Sequence, residues 1–172
     1  MTSQDSQLST LNPKRLLLMR HAKTESPYSF KRDFDRALTD AGKSDALKMG
    51  EWIKANRIKI DRVLSSAALR TRQTTEGFIQ GSNLDPSQVE SMNELYHAGP
   101  ETFVEIIQAQ PDSSEILLIV SHNMGITDFA NQLTNARIDH MQPGSIFAVQ
   151  VNCQHWREFP KAALSFLFYQ QP

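Results

Sequence analysis

The chain has 172 residues and a mass of 19.5 kDa, a size that suits one domain burying roughly two thirds of its unfolded surface. Its formal net charge of −1 provides no general basic field, which argues against nucleic acid as the main partner. Cys153 is the single cysteine, so an internal disulfide and a cysteine-based zinc site are excluded, and we expect a cytoplasmic protein. No apolar run approaches the ~20 residues of a membrane span, so we expect no membrane partner.

The first residues of the chain differ from the rest. Residues 1–12 are polar and rich in serine and glutamine, without an apolar core of signal-peptide length. We therefore expect a flexible tail over residues 1–12, followed by a single domain over residues 13–172.

Two apolar runs, each as long as a buried strand, are followed by a histidine two positions after their last residue. The first, predicted as a strand over Arg15–Met19, is followed by Arg20 and His21. The second, predicted over Ile116–Val120, leads through one serine to His122. Because ligands in open α/β sheets bind outside the carboxyl ends of the strands, both histidines are candidate site residues.

Helical and strand patterns alternate along the remaining chain. In chain order, the patterns predict a helix from the N-cap Thr39 to about Asn56, a strand Val63-Leu64 that Ser65-Ser66 ends, a helix Ala67–Gln80, a strand Val89–Met92, a helix from Pro100 to Pro111, a helix Asn123–Leu133, and strands Ser145–Val151 and Ala163–Tyr169. Arg70 falls in the first turn of the second helix, close to a third strand end. The alternation predicts an α/β fold, a three-layer α/β/α sandwich with a mixed, mostly parallel central sheet.

The candidate side chains at these strand ends are Arg20, His21, Arg70 and His122, two guanidiniums and two imidazoles. A guanidinium presents a fork of donors that matches phosphate, and a neutral imidazole can attack phosphorus when its other N–H is held by an acceptor. The second imidazole can donate to a phosphoryl oxygen, and the residues alone leave open which histidine has which role. Spacing typical of metal ligands is missing and the arginines would repel a cation, so we predict no metal and no cofactor.

Four segments resemble, in the same order, signature segments of the histidine phosphatase superfamily. They are Arg20-His21-Ala22, Leu38-Thr39-Asp40-Ala41-Gly42, the Ser-x-x-x-Arg-x-x-Gln-Thr pattern within Ser65–Thr74, and Val120-Ser121-His122. The resemblance implies a phosphoglycerate-mutase-like fold and a metal-independent phosphatase in which His21 is the phosphorylated nucleophile. It also implies that Arg20, Arg70 and His122 hold the phosphoryl group, with Arg72 as the second choice in its segment.

Within the superfamily, the short length resembles the SixA-type branch, which removes phosphate from phosphohistidine on proteins. Ala22 stands where the family usually has glycine, and the Glu-Gly pair that supplies a general acid in other members is missing from residues 94–99. Ester hydrolysis without a proton donor is slow, whereas a phosphoramidate needs that help less. We therefore expect phosphohistidine on a protein as the substrate.

Two alternatives stay open. The first is a small-molecule phosphomonoesterase that uses His97 or Glu94 as its acid, with His97 also a candidate for substrate binding. The second is a phosphate- or phosphoprotein-binding module without turnover.

Overall fold

The computed structural model describes residues 13–28 and 32–172, so the predicted tail, residues 1–12, lies outside the described residues. The strands within these ranges are β1 (Lys14–Arg20), β2 (Arg62–Ser66), β3 (Val89–Met92), β4 (Ile116–Ser121), β5 (Ile146–Asn152) and β6 (Ala163–Gln170). The α-helices are α1 (Asp40–Ala55), α2 (Leu69–Ser82), α3 (Pro100–Gln108) and α4 (Gly125–Leu133), and short 3₁₀ turns cover Asp33–Asp35 and Asn93–Leu95. None of the helices in these ranges is long and apolar enough to cross a membrane.

The strands form one mixed sheet in the order β3-β2-β4-β1-β5-β6. Strands β3, β2, β4 and β1 are parallel, β5 runs antiparallel to β1, and β6 runs antiparallel to β5. The register of the central pair aligns Arg20 with Ser121. His21 and His122, the next residues on each strand, therefore leave the sheet side by side.

Both faces of the central strands are buried, as the continuous apolar runs predict. Leu16 and Leu18 belong to the cluster packed by α3 and α4, while Leu17 and Met19 belong to the cluster packed by α1 and α2. Alternate side chains of a strand point to opposite faces, so one apolar run supplies both clusters. The predicted α/β/α sandwich is confirmed.

The prediction that Ser65-Ser66 ends β2 is wrong, since both serines are buried residues of that strand. Buried hydroxyls are tolerated there because each has a partner. The Thr75 hydroxyl lies 3.0 Å from Ser65 Oγ, and Ser66 Oγ lies 2.8 Å from His122 Nε2. The following helix accordingly starts at Leu69, two residues later than predicted.

Candidate active site

The carboxyl ends of β1, β2 and β4 bring the four predicted site residues to one edge of the sheet. The rings of His21 and His122 have centroids 5.4 Å apart, and both side chains are buried. Arg20 is the last residue of β1, and Arg70 lies in the first turn of α2, directly after β2. The Arg70 side chain is only 2% exposed, so its charge is directed into the protein.

The loop after β1 is fixed by hydrogen bonds to two distant segments. The Ala22 N–H donates to Thr74 Oγ1 at 3.0 Å, and the Thr74 hydroxyl donates in turn to the Arg70 carbonyl. The Gly144 N–H lies 3.1 Å from the carbonyl oxygens of both Arg20 and His21, and its φ of 79° is one that glycine adopts without strain. The backbone around His21 is thus tied to α2 and to the turn before β5.

Alanine at position 22 is compatible with this loop. The non-glycine residues with positive φ in residues 13–28 and 32–172 are Arg57, Asn83 and His97, so Ala22 does not need a conformation reserved for glycine. Its methyl group is fully buried in a cluster with Leu38 and Ala46.

The Leu38–Gly42 segment supports the same loop. Thr39 is the N-cap of α1, as predicted, and its hydroxyl accepts from the Gly42 N–H at 3.1 Å. The Thr39 N–H donates to the Lys23 carbonyl at 3.0 Å. A Cβ at Gly42 would lie 2.1 Å from that same carbonyl oxygen, so only glycine lets the helix start so close to the loop. This motif therefore positions the chain that follows His21.

His21 is held as a neutral imidazole with one free nitrogen. Its Nδ1 lies 2.8 Å from the Ala22 carbonyl oxygen, which can only accept, so Nδ1 carries the proton and Nε2 keeps its lone pair. Burial, together with the charges of Arg70 and Arg20, lowers the pKa of His21 to about 3. The Nε2 atom therefore keeps its lone pair available at neutral pH.

In His122 the nitrogen with a hydrogen-bond partner is Nε2, whereas in His21 it is Nδ1. Burial and then the Arg70 charge lower the pKa of His122 to about 2, so this ring is neutral as well. Its Nε2 lies 2.8 Å from Ser66 Oγ, which also accepts from the Ala68 N–H at 3.5 Å and has its own proton left to donate. If the Ser66 proton goes to Nε2, Nδ1 of His122 carries the ring proton, and that buried atom has no partner among the described residues.

Both arginines repeat this pattern of one held end and one unpartnered end. Arg20 donates from Nη1 to the Met141 carbonyl at 2.7 Å, and Arg70 donates from Nη1 and Nη2 to the carbonyl and carboxylate of Asp33 at 2.6 and 2.8 Å. The Nε atoms of Arg20 and Arg70 are buried and have no partner among the described residues. Buried polar nitrogens without a partner are costly, so three of them beside the His21 imidazole, two of which belong to guanidiniums, indicate a binding site for an oxyanion.

Asp33 is a site residue that the sequence patterns did not predict. Its carboxylate accepts from Arg70, from Arg36 Nη2 at 3.1 Å and from the Tyr96 hydroxyl at 2.8 Å. Partial burial acts to raise the pKa of Asp33, but the hydrogen bond from Tyr96 and the charge of Arg70 outweigh burial and lower the pKa to about 2. Asp33 contacts residues 37 and 63 positions away, and residues 28–36 show no periodicity that would reveal such contacts.

Of the two candidate acids, only His97 lies beside the site. Its Nε2 is 3.4 Å from Asp33 Oδ2, and its ring centroid is 5.5 Å from that of His122. Glu94 is exposed in the 3₁₀ turn Asn93–Leu95 and makes no hydrogen bond or ion pair with another described residue. Arg72 is exposed on α2, away from the buried face that carries Arg70.

Histidine, cysteine and carboxylate side chains form no group of three that could hold a metal ion in residues 13–28 and 32–172. The site contains two arginines and two neutral imidazoles, with the Asp33 carboxylate holding Arg70. Cations and neutral donors around an imidazole suit the binding and transfer of an anionic phosphoryl group.

Comparison with known proteins agrees with this chemistry. Residues 16–113 match the model of the histidine phosphatase superfamily, branch 1. An uncharacterised protein of Mycobacterium leprae is 31% identical over 165 residues, covering 90% of this chain and 99% of that protein. The phosphohistidine phosphatase SixA of Escherichia coli strain K12 is 32% identical over 110 residues, covering 63% of this chain and 66% of SixA.

Solved structures show the same fold. A protein of Nakamurella multipartitia that is proposed to be a phosphohistidine phosphatase SixA superposes with a TM-score of 0.82 at 26% identity, covering 94% of this chain and 98% of that one. The protein histidine phosphatase SixA complexed with tungstate superposes with a TM-score of 0.77 at 24% identity, covering 91% and 96% of the two chains. The chain therefore belongs to the histidine phosphatase superfamily, and it is a phosphatase.

Proposed function

We propose that this phosphatase works through a phosphohistidine intermediate on His21 and that its substrate is phosphohistidine on a protein. The observation that carries the proposal is a set of three buried nitrogens, without a partner among the described residues, beside a neutral imidazole. These nitrogens are Arg20 Nε, Arg70 Nε and His122 Nδ1. An oxyanion with several acceptor oxygens is the ligand that satisfies them together.

In the first step, His21 Nε2 attacks phosphorus, and the bond between phosphorus and the leaving nitrogen breaks with its electron pair on that nitrogen. Arg20, Arg70 and His122 donate to the phosphoryl oxygens and stabilise the charge on them. In the second step, a water oxygen bonds to phosphorus and the electron pair of the P–N bond returns to His21 Nε2. The products are inorganic phosphate and the neutral imidazole that the Ala22 carbonyl orients.

The choice of substrate depends on the leaving group. A strong acid contributes about 10²- to 10⁴-fold to expulsion of an alkoxide, whereas an imidazole leaves from phosphorus with less help. The carboxylate nearest to the site, Asp33, has a pKa of about 2 and is ionised, so it provides no proton at neutral pH. The E. coli relative is itself named a phosphohistidine phosphatase, which supports the same substrate class.

One observation favours a second candidate, a phosphatase of small phosphomonoesters. His97 Nε2 lies 3.4 Å from Asp33 Oδ2, and the His97 ring centroid is 5.5 Å from that of His122, so this imidazole lies at the outer edge of the site, where a leaving oxygen would need a proton. In this alternative, protonated His97 donates to the leaving oxygen. The side chain of His97 is 56% exposed, so substrate can reach it.

The two candidates differ in the rates they predict. We expect kcat/KM for a protein carrying phosphohistidine to exceed kcat/KM for p-nitrophenyl phosphate. His97→Gln should lower the first value by less than about 10-fold, because it removes a ring contact but no required proton donor. Glu94→Gln is the matched control, because Glu94 is an exposed carboxylate in the preceding turn. Faster hydrolysis of the ester, lost by about 10²-fold or more in His97→Gln but not in Glu94→Gln, would instead establish the second candidate.

A further inference from the structure

The Asp33 carboxylate stands between the buried cations and the exposed surface of the site. Its Oδ2 accepts from Arg70 Nη2 and from the Tyr96 hydroxyl, each at 2.8 Å, and its Oδ1 accepts from Arg36 Nη2 at 3.1 Å. The side chain of Asp33 is nevertheless 44% exposed, whereas that of Arg70 is 2% exposed. One end of this ion pair is thus buried and the other faces outward.

Asp33 retains capacity for another hydrogen bond. A carboxylate has about four acceptor positions, and the hydrogen bonds to described side chains use two on Oδ2 and one on Oδ1. The remaining position on Oδ1 is available to a group that arrives from solvent. Since the pKa of Asp33 is lowered to about 2, this position accepts a proton-bearing group and does not donate.

An aromatic surface lies next to this carboxylate. The Tyr96 ring packs edge-on against Phe34 with centroids 5.0 Å apart, and lies 4.1 Å from the ring of His97. Tyr96 and His97 both contact the His122 ring, with centroids 5.4 and 5.5 Å away. A flat, polar heterocycle bound beside His122 would therefore lie close to the aromatic rings of Tyr96 and His97 and to the Asp33 carboxylate.

The charges divide the site into two parts. The charges that act on His21 are those of the cations Arg70, Arg20 and Arg36, whereas His122 is exposed to the charge of Arg70 and also to the negative charge of Asp33. A dianionic phosphoryl group belongs among the cations. The group attached to it, if it carries an N–H or a positive charge, belongs at the carboxylate.

We propose that Asp33 recognises the leaving group, accepting the N–H of the phosphorylated imidazole while that ring lies against His97 and Tyr96. This inference rests on the proposed function. When His21 Nε2 bonds to phosphorus, the P–N electron pair returns to the substrate ring, and the proton on the ring's other nitrogen stays in place beside Asp33. A ring that enters protonated on that nitrogen leaves as neutral imidazole, so the step needs no acid.

The same carboxylate discriminates against other phosphorylated compounds. A second phosphate or a carboxylate on the leaving group would approach Asp33 with a like charge and without a proton to donate. Asp33 thus favours phosphoramidates of imidazole over small anionic phosphoesters.

Asp33→Asn tests this inference, because it removes the charge and keeps the shape. Asp35→Asn is the matched control, since Asp35 lies in the same 3₁₀ turn and pairs with the exposed Arg32. For each protein we would measure kcat/KM on a phosphohistidine peptide and on p-nitrophenyl phosphate, and the Kd of vanadate, which has no leaving group. We expect Asp33→Asn to lower kcat/KM on the peptide by about 10-fold or more, consistent with loss of one charged hydrogen bond.

The ester rate and the vanadate Kd show whether Asp33 recognises the leaving group or only positions Arg70. We expect the losses of Asp33→Asn for the ester and for vanadate to be at least about threefold smaller than its loss for the peptide, because the variant keeps the backbone carbonyl to which Arg70 Nη1 donates. Equal losses on both substrates with weaker vanadate binding would show that Asp33 only positions Arg70, and no loss on either would remove it from the site. If wild type itself does not prefer the peptide, the proposed substrate is wrong, whereas a preference that survives Asp33→Asn overturns this inference alone.

Discussion

At the residue scale, the site side chains are predictable where a local pattern marks them and not where a distant contact defines them. His21 and His122 stand out because each follows an apolar strand directly. Asp33 and Ser66 carry no such mark. Asp33 acts through contacts with α2 and with Tyr96, and Ser66, which the sequence pattern places at a strand break, contacts His122 across 56 residues.

Ser66→Ala tests the tautomer of His122. Without the hydroxyl, His122 Nε2 has no donor partner and the ring is free to carry its proton there instead of on Nδ1. Loss of one such hydrogen bond changes a binding free energy by about 1 kcal/mol, so we expect kcat/KM to fall about 5- to 10-fold and vanadate binding to weaken similarly.

Ser65→Ala is the control for this variant. Ser65 is the preceding residue of β2, is equally buried, and its hydroxyl pairs with Thr75 instead of a histidine. We expect it to affect stability but not kcat/KM of the folded protein. Equal activity losses in the two variants would show that the serines act only through the packing of β2.

At the element scale, α1 and α2 pack on one face of the sheet with their backbones in close contact. A Cβ at Gly50 would lie 2.1 Å from the Phe78 carbonyl oxygen, and a Cβ at Gly81 would lie 2.1 Å from the Leu47 carbonyl oxygen. The two glycines thus allow each helix to approach the other. Because α2 carries Arg70 and α1 begins beside the loop after His21, this contact helps to position the site.

Gly81→Ala tests that contact. Alanine has the higher helix propensity, but its methyl group would overlap backbone atoms that cannot move without separating the helices. We expect the free energy of unfolding to fall by about 1–3 kcal/mol, the usual cost of overpacking. Gln80→Ala, an exposed position in the same helix, should change it by less than about 0.5 kcal/mol in urea unfolding. A Gly81→Ala protein as stable as wild type would contradict the close packing.

The existence and order of the elements follow from sequence periodicity. Some ends are also predictable, such as the start of α1 after Thr39, but others are not. Helix α4 starts at Gly125 instead of the predicted Asn123, and β2 extends through two serines. Hydrogen bonds from other parts of the chain decide these positions. Hydrophobic pattern records which residues are buried, and it contains no information about such partners.

At the scale of the whole molecule, two buried neutral histidines make the stability depend on pH. The pKa values of His21 and His122 are about 3 and about 2 in the folded protein, against 6.5 for an unperturbed histidine. Between these values the unfolded chain binds protons that the folded protein does not. Stability is therefore at its full value above pH 6.5 and decreases as the pH falls towards 3.

Urea unfolding at two pH values measures this effect. We expect each histidine to lower the free energy of unfolding by about 2 kcal/mol between about pH 6.5 and about pH 5. A variant combining His21→Gln with His122→Gln removes both titrating groups, so its stability should depend less on pH than that of wild type. The same pH dependence in both proteins would show that these histidines are not held neutral.

The central claim is that the phosphoryl group is transferred to His21 before water removes it. Trapping the phosphoenzyme tests this claim most directly. Rapid quenching of wild type during turnover of a phosphohistidine protein should give an acid-labile, base-stable phosphoryl group on residue 21. His21→Ala should give none, and His140→Ala, which removes an exposed histidine, should label like wild type. Turnover without a phosphoenzyme, or a label on His122 instead, would contradict the account.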